Sequence, residues 1–310
     1  MSEPRFEWAK GKVLAPSDFE IDDKIAFVED FVFSASITLI YSPAKQGKTW
    51  LGYGVAMEIS KHEECEEVYY LDMDNSVSTL KERNVHNVML PNKKLYYITR
   101  STIGCEPIEQ LQSIANGAFK DNYKNIVFFL DTTKDFVDTD NKTQSVQFMK
   151  YCVALRDAGA TVIVMHHATK NKRQISGNQV FTNTPDNVFE MKQSSKFGTT
   201  INYELKVTHA RGLVKDCRWS VDTTSLELLS YDAVSTGLSS DEKDKALKAI
   251  EALKNSIEGL SMSSMVLAMG FENRSDRKGK KIVNELCGVY WIKEELTRNR
   301  HIYKLKKEDK

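Results

Sequence analysis

Short apolar runs alternate with helical stretches between residues 36 and 231 of the chain. Each run is apolar throughout and bounded by polar residues, which is typical of strands buried on both faces of a parallel sheet. The predicted strands are residues 37–41, 68–71, 95–98, 126–130 and 161–165. Two clear helices are predicted between them, at residues 49–60 and 145–158. This pattern predicts an α/β domain with a mostly parallel, twisted sheet and helices on both sides.

After residue 199 the pattern changes to adjacent extended runs, at residues 200–208, 213–221 and 226–230. These runs predict an antiparallel extension of the sheet. Residues 232–240, DAVSTGLSS, are small and polar, and they predict a linker. The chain is therefore divided into a large domain at residues 1–231, a linker at 232–240 and a second domain at 241–310.

The second domain has the element order of a winged helix. Helices are predicted at residues 241–255, 261–268 and 275–286, and two extended runs follow at 289–294 and 301–306. Three helices followed by a β-hairpin form a winged helix-turn-helix. The element order therefore predicts a small winged-helix-like domain.

The sequence SITLIYSPAKQGKTW, residues 36–50, gives the strongest local signal. It places a strand, a loop and a helix in the order of the phosphate-binding motif G-x-x-x-x-G-K-[ST], with Ser42 in place of the first glycine. Backbone N–H groups at such a helix start bind phosphate, the lysine reaches the β- and γ-phosphates, and the hydroxyl binds Mg²⁺. We therefore expect ATP and Mg²⁺ to bind here. The predicted nucleotide-binding residues are Ser42, Pro43, Ala44, Lys45, Gln46, Gly47, Lys48, Thr49 and Trp50.

Carboxylates follow two of the predicted strands. Asp131 ends the strand NIVFFLD and is expected to hold Mg²⁺ through water together with Thr49, although an aspartate at a strand end can also simply start a turn. Asp72 and Asp74 follow the strand after the P-loop helix, and either could orient and deprotonate an attacking water. Asp74 lies nearer the strand tip, where ligands of open α/β sheets bind, so it is the preferred catalytic acid.

Two adjacent histidines, His166 and His167, follow the strand at residues 161–165. Successive residues of a strand face opposite sides, so the two cannot address one ligand, and a metal pair is disfavoured. The alternative interpretation for one of them is a core histidine with satisfied hydrogen bonds.

Several motifs, taken in order along residues 30–222, resemble the RecA-like hexameric ATPases, in particular the RepA-type plasmid replicative helicases and more distantly the DnaB family. The matching segments are SPAKQGKT, YLDMDNS, FFLDTTKDF, VIVMHHATK, ISGNQVFTNTPDNVFEMK and VTHARGLVKD. The resemblance implies one RecA-like domain per subunit, a homo-oligomeric ring (a hexamer), ATP at subunit interfaces and single-stranded DNA in the central channel.

The resemblance also implies roles for single residues. Asp74 falls at the catalytic carboxylate, which is usually Glu in the family, and His167 falls at a γ-phosphate sensor that is Gln or His. Arg211 falls at the arginine finger that reaches a neighbour's ATP, whereas the family's frequent lysine two residues earlier is His209 here. Without the resemblance, the sequence predicts only that Arg211 is a solvated surface charge beside a turn glycine.

Two basic segments are candidates for contact with nucleic acid, because the chain as a whole has a formal net charge of zero. The first segment, residues 168–181, contains Lys170, Lys172 and Arg173, which either contact DNA phosphates or belong to a solvated loop. Residues 270–310 hold 12 Lys/Arg against 7 Asp/Glu, which is +5 by subtraction. Arg277, Lys280 and Lys281 lie on the predicted recognition helix, and Arg298 and Arg300 at the wing tip. Such a domain binds DNA or docks a protein, for example a replication protein.

The amino-acid composition restricts the bound groups and the cellular location that are expected for this protein. The five cysteines form no CxxC pair, which argues against a zinc site or a disulfide framework. The first residues carry charges without an apolar stretch, and no run approaches the ~20 apolar residues of a membrane span. We therefore expect a cytoplasmic protein without a signal peptide or membrane attachment.

These observations favour a Mg²⁺-dependent ATPase that drives DNA unwinding as a replicative helicase of plasmid, phage or mobile-element type. A second reading is a RecA-fold ATPase that binds DNA as a recombinase-like or loading factor without unwinding. A third, a small-molecule kinase, lacks an evident acceptor-binding lid and leaves the HAR segment at residues 209–211 unexplained.

Overall fold

A computed structural model of the chain describes residues 5–7, 13, 24–118, 122–169, 175–197, 199–212, 214–230, 240–256, 258–288, 290–297 and 300–305. The predicted linker lies almost entirely outside these residues. The strands are β1 (Ala26–Val28), β2 (Val32–Phe33), β3 (Ile37–Ser42), β4 (Glu67–Asp72), β5 (Leu95–Thr99), β6 (Ile126–Asp131), β7 (Thr161–His167), β8 (Asn187–Phe197), β9 (Thr200–Ala210), β10 (Cys217–Asp222), β11 (Leu228–Ser230), β12 (Leu260–Ser261), β13 (Trp291–Thr297) and β14 (Arg300–Leu305). The helices are α1 (Lys48–Ser60), α2 (Val77–Glu82), α3 (Val85–Val88), α4 (Arg100–Ile103), α5 (Pro107–Gly117), α6 (Thr133–Phe136), α7 (Lys142–Asp157), α8 (Val180–Asn183), α9 (Ser240–Lys254), α10 (Met262–Ala268) and α11 (Arg277–Glu285).

Nine strands form one sheet in the order β11-β10-β9-β8-β3-β7-β6-β4-β5. The six strands from β8 to β5 run parallel, and β9, β10 and β11 extend the sheet in antiparallel fashion. The predicted α/β class with a mostly parallel sheet is confirmed. All five predicted parallel strands are present, each longer than predicted by one or two residues.

Side chains from the two faces of the sheet enter two separate apolar layers. Ile40 and Tyr70 face the layer that contains α1, while Leu39 and Leu130 face the layer that contains α5 and α7. Alternate residues of each strand are therefore buried on opposite faces, which explains why these strands are apolar throughout.

Helix α1 packs against the sheet closely enough to require glycine. A Cβ at Gly52 would overlap the Tyr70 hydroxyl, and a Cβ at Gly54 would lie 2.8 Å from a methyl group of Val221. Glycine lowers helix propensity by about 1 kcal/mol relative to alanine. Its presence here follows from the close approach of the helix backbone to the strands.

The sequence did not predict β8 as a strand, and its prediction for β10 began too early. β8 contains Glu190, Lys192 and Gln193, so it lacks the continuous apolar run of its parallel neighbours. In the extended run predicted at residues 213–221, the described residues from 214 onward form a strand only from Cys217. The Asp216 side chain, just before that strand, accepts the backbone N–H of Val207 in β9 (2.7 Å), so a side-chain hydrogen bond takes the place of the sheet ladder there.

Residues 240–305 contain a third hydrophobic cluster with its own secondary structure. Helices α9, α10 and α11 pack with the three-stranded antiparallel sheet β12-β14-β13. Trp291 is fully buried in this cluster and donates its indole N–H to the Val283 carbonyl (3.0 Å). The observed order is α9, β12, α10, α11, β13 and β14, so the three helices and the final hairpin are accompanied by a short strand, β12, that the sequence did not predict. In the described part of the chain, no helix combines the length and apolar character that crossing a bilayer requires.

Candidate active site

Four neighbouring strands end at the same edge of the sheet. β3, β7, β6 and β4 are consecutive and parallel, and they end at Ser42, His167, Asp131 and Asp72, respectively. The edge at the carboxyl ends of such strands is where open α/β sheets bind ligands. A cleft of about 480 Å³ lies there. It is lined by Ala44, Lys45, Gly47, Lys48, Thr49, Trp50, Asp74, Asn75, Arg83, Thr132, Lys134, His167, Gln193, Lys196 and Ile201.

The loop between β3 and α1 has the backbone that its sequence requires. Gly47 has φ +77°, and a Cβ there would lie 2.7 Å from the Tyr203 hydroxyl oxygen, so glycine is needed for both reasons. Tyr203 donates its hydroxyl to the Gly47 carbonyl (2.9 Å). Gln46 does not line the cleft and instead accepts the backbone N–H of Gln193 (3.2 Å). The predicted phosphate-binding loop is therefore held from behind by β8 and β9.

Ser42 replaces the motif's first glycine without strain, because it is the last residue of β3 and its φ is not positive. Its side chain is fully buried, and its hydroxyl donates to the Pro43 carbonyl (3.1 Å). Neither Ser42 nor Pro43 lines the cleft; both instead supply oxygen atoms to Lys48.

Lys48 is almost fully buried, and its ammonium group folds back over the loop. It donates to the Ser42 carbonyl (3.1 Å) and hydroxyl (3.2 Å), and it lies 3.3 Å from His167 Nδ1. Burial lowers the pKa of Lys48 to about 8, against the upward pull of the Asp131 charge. Among the described residues, the ammonium has no carboxylate in direct contact, which suits a group that binds an incoming anion.

Asp131 is fully buried beside the start of α1. Its Oδ2 accepts the Tyr70 hydroxyl (3.0 Å). Burial raises the pKa of Asp131, the Asp72 charge raises it further, and the Thr49 hydroxyl is close enough to lower it. Within the described part of the chain, Oδ1 has no partner at proper hydrogen-bond geometry. A buried carboxylate oxygen left open next to a threonine hydroxyl fits a hard cation such as Mg²⁺.

Asp72 and Asp74 differ in their environments, although they are only two residues apart. Asp72 is the last residue of β4, is fully buried and does not line the cleft. Asp74 lies in the loop beyond the strand, lines the cleft and pairs with Lys134 (3.1 Å). The side chain of Asp74 is 45% exposed. Of the two acids, only Asp74 is placed to contact a ligand or water in the cleft.

The two histidines point to opposite sides, as the strand geometry predicts. His166 is buried against Phe181, and its Nε2 lies 2.8 Å from the Ser176 carbonyl oxygen. His167 lines the cleft next to Lys48. Burial, together with the positive charges of Lys48 and Lys134, lowers the pKa of His167 to about 4. Lys48 is a donor, so His167 Nδ1 accepts and Nε2 carries the proton.

The cleft includes residues that sequence reasoning did not single out. Lys134 follows Asp131 by three residues and faces Asp74, and Arg83 lies with its guanidinium carbon 5.5 Å from the Trp50 ring centroid. Gln193 and Lys196 come from β8. The position of Lys134 just beyond a strand-end aspartate was a usable signal. The residues of β8 could not be placed, because that strand was not predicted.

Arg211 lies at the opposite edge of the sheet from the cleft. It follows β9, and its backbone N–H donates to the Asp186 carbonyl (2.8 Å), next to Asn187, which pairs with Thr38 near the start of β3. A six-residue strand spans about 20 Å. The Arg211 side chain is exposed, donates to the Asn183 carbonyl and lines a separate cavity of about 370 Å³ with Lys24 and Asp186. Arg211 therefore lies far from the cleft of its own chain.

The predicted DNA-contacting residues fall in two places. Lys170, Lys172 and Arg173 lie outside the described residues, as does Arg298. Arg277 and Lys281 are exposed on α11, Lys280 is half-buried, and Lys281 pairs with Glu285 (3.7 Å). The basic helix thus presents positive charge to solvent.

Comparison with known proteins does not assign a family: no protein-family model matches the chain, and no curated protein matches it significantly. The RecA-like family suggested by the motifs therefore stays a prediction.

Proposed function

We propose that the chain is a RecA-like P-loop ATPase that works as a ring-forming DNA motor. One observation carries the ATPase part of this proposal. Lys48, Thr49, Asp74 and His167 line one cleft at the carboxyl ends of parallel strands, and Asp131 lies directly behind Thr49. Four separate segments of the sequence, each predicted to act on a nucleoside triphosphate, meet at this cleft or directly behind it.

The roles follow from charge and position. The open backbone of residues 44–49 would bind the β-phosphate, and the Lys48 ammonium would leave the Ser42 and Pro43 oxygens for the β- and γ-phosphates. Asp74 would accept a proton from the attacking water in the open part of the cleft. His167, neutral with a proton on Nε2, would donate to the γ-phosphate as charge develops there.

Thr49 and Asp131 are the residues that would hold Mg²⁺, through the hydroxyl and, by way of water, the carboxylate. The ion would supply neutralisation of the phosphate charge. Among the described residues, Asp131 Oδ1 has no hydrogen-bond partner, which supports this assignment, since a buried carboxylate oxygen without a partner is costly unless a ligand satisfies it.

Three features support the ring and DNA part of the proposal. The exposed Arg211 at the far edge of the sheet is available to a neighbouring subunit, and it cannot act on its own cleft. The C-terminal helices and hairpin have the winged-helix order, with a basic helix exposed. The resemblance of the motif order to hexameric helicases adds the third. Single-stranded DNA, further copies of this chain and replication proteins are the proposed partners, and the cytoplasm is the proposed location.

Lys48→Ala tests the ATPase assignment. We expect the variant to fold and to lose hydrolysis, because Lys48 is the P-loop's cation at the centre of the cleft. Steady-state phosphate release with ATP and Mg²⁺ measures this, with circular dichroism as the check on folding. A folded variant with turnover near that of wild type would remove the active-site assignment. A separate strand-displacement assay on the wild type distinguishes a helicase from an ATPase that binds DNA without unwinding it.

A further inference from the structure

The buried Asp72 carboxylate gathers donors from the loop that carries Asp74. Its Oδ1 accepts the backbone N–H groups of Asp74 (3.1 Å) and Asn75 (3.0 Å), and the Asn75 side-chain amide reaches both Oδ1 (3.0 Å) and Oδ2 (2.9 Å). Every one of these contacts uses the carboxylate as an acceptor. The carboxylate therefore fixes the direction in which the chain leaves β4.

A second group of contacts holds Asp72 itself. The Tyr97 hydroxyl donates to Asp72 Oδ2 (2.5 Å) and lies 3.0 Å from the Tyr53 hydroxyl. The Tyr97 ring stacks on Tyr70, with ring centroids 5.1 Å apart and planes within 6°. These rings belong to the buried layer that packs on α1. The carboxylate is thus anchored to the rigid part of the sheet.

Apart from these backbone contacts, the Asp74 side chain is oriented mainly by one exposed ion pair. Its side chain is about half exposed, and its ion pair is with Lys134, whose side chain is 47% exposed. Exposed ion pairs contribute little to conformational order. The orientation of the Asp74 carboxylate in the cleft depends mainly on its backbone, and that backbone depends on Asp72.

We propose that Asp72 is a positioning residue that sets the Asp74 carboxylate against the attacking water, with Tyr97 as its anchor. This role rests on the proposed ATPase function. It reassigns Asp72 from a candidate catalytic acid to a group that acts through another residue. A displacement of about 1 Å in a catalytic group costs about 10²-fold in rate. Asp72→Asn removes the charge that strengthens the hydrogen bonds to the Asp74 and Asn75 backbone N–H groups. It also places an amide donor where Oδ2 now accepts from Tyr97 and from the Asn75 side chain.

The test is a double-mutant cycle in ATP hydrolysis at saturating Mg²⁺. Asp72→Asn should lower kcat by about 10²-fold and leave the affinity for a fluorescent ATP analogue unchanged. In an Asp74→Asn background, the same change should lower kcat by no more than about twofold, because residues that act as one unit are not additive. Hydrogen exchange of the backbone amides at residues 74 and 75 should be faster in Asp72→Asn.

Tyr97→Phe is the second variant, since it keeps the ring stack and the Asp72 charge while removing one donor. It should lower kcat in the same direction by a smaller factor. Tyr96→Phe is the matched control, because Tyr96 is the preceding residue of β5, is exposed and stacks on Tyr69 on the other face of the sheet. It should leave kcat unchanged.

Three results would overturn the role. Full additivity of Asp72→Asn with Asp74→Asn, in a wild type that hydrolyses ATP, would show that Asp72 does not act through Asp74. An unchanged kcat in Asp72→Asn would do the same. Equal losses in Tyr97→Phe and Tyr96→Phe would indicate a general effect of β5. Absence of hydrolysis in the wild type would instead overturn the proposed function, and the role with it.

Discussion

Asp131→Asn is expected to stabilise the nucleotide-free protein while it abolishes Mg²⁺-dependent turnover. The carboxylate is fully buried and one of its oxygens has no properly oriented partner among the described residues. An unsatisfied buried polar group costs about 1–3 kcal/mol, and more when charged. Asparagine keeps an oxygen for the Tyr70 hydroxyl, places its amide donor beside the Thr49 hydroxyl oxygen and removes the charge next to Asp72. We therefore expect the free energy of unfolding to rise by about 1–3 kcal/mol at pH 8.

The direction in which the stability difference between Asp131→Asn and wild type changes with pH is a further test of this prediction. The folded-state pKa of Asp131 is raised, so the native state holds the proton more tightly than the unfolded chain does. The resulting penalty is fully present above the folded pKa and vanishes below the unfolded pKa of ~4. The difference between variant and wild type should thus be large at pH 8 and shrink towards pH 5.

Urea unfolding without nucleotide, at pH 8 and pH 5, measures both quantities, and phosphate release measures the loss of turnover. Asp74→Asn is the matched control, since its exposed ion pair with Lys134 is worth about 0–1 kcal/mol. That variant should change stability little and still bind nucleotide. A destabilised Asp131→Asn, or a difference that does not vary with pH, would show that Asp131 serves the fold and not a cation.

Three further predictions concern the other groups of the proposed site. Because the pKa of Lys48 is lowered to about 8, ATP binding should take up about one proton at pH 9 and almost none at pH 7; calorimetry in buffers of different ionisation heat measures this, and no uptake at pH 9 would contradict it. His167→Gln should retain turnover within about tenfold, whereas His167→Ala should lose about 10²–10³-fold, since the neutral ring acts as a donor that an amide can replace; equal losses would argue against that role. Arg211→Ala should be nearly inactive alone and regain activity when mixed with Lys48→Ala, because mixed interfaces pair an intact P-loop with an intact arginine; a mixture without activity would argue against a finger supplied by a neighbour.

The sequence predicted the parallel half of the sheet well and the antiparallel half less well. Strands such as β3 and β6 are buried on both faces, so a continuous apolar run marks them, and the polar residue at each end marks the edge where ligands bind. β8 has a parallel neighbour on one side and an antiparallel one on the other, and polar residues interrupt its sequence. Periodicity therefore could not separate it from a loop.

The sequence predicts a site residue well when the spacing of a motif alone implies its role. It predicts the role less well when that role depends on contacts with residues from other strands. Lys48 and Thr49 follow from spacing within one loop. The division of labour between Asp72 and Asp74 does not, because both are aspartates at the end of one strand. It depends on Tyr97 and Asn75, which supply donors to Asp72, and a tyrosine on the next strand carries no local signal of that contact.

Glycine in the middle of a helix is an obvious target for protein engineers, because alanine is the better helix former by about 1 kcal/mol. Gly52 would be chosen by that rule, since it lies within α1 and does not line the cleft. A methyl group there would occupy the space of the Tyr70 hydroxyl, which is the hydroxyl that donates to Asp131. A substitution selected to improve thermal tolerance would thus move the carboxylate assigned to the cation, from behind the site and without changing any group that a nucleotide could touch. Stability screens on this chain should accordingly leave α1 unaltered at that position.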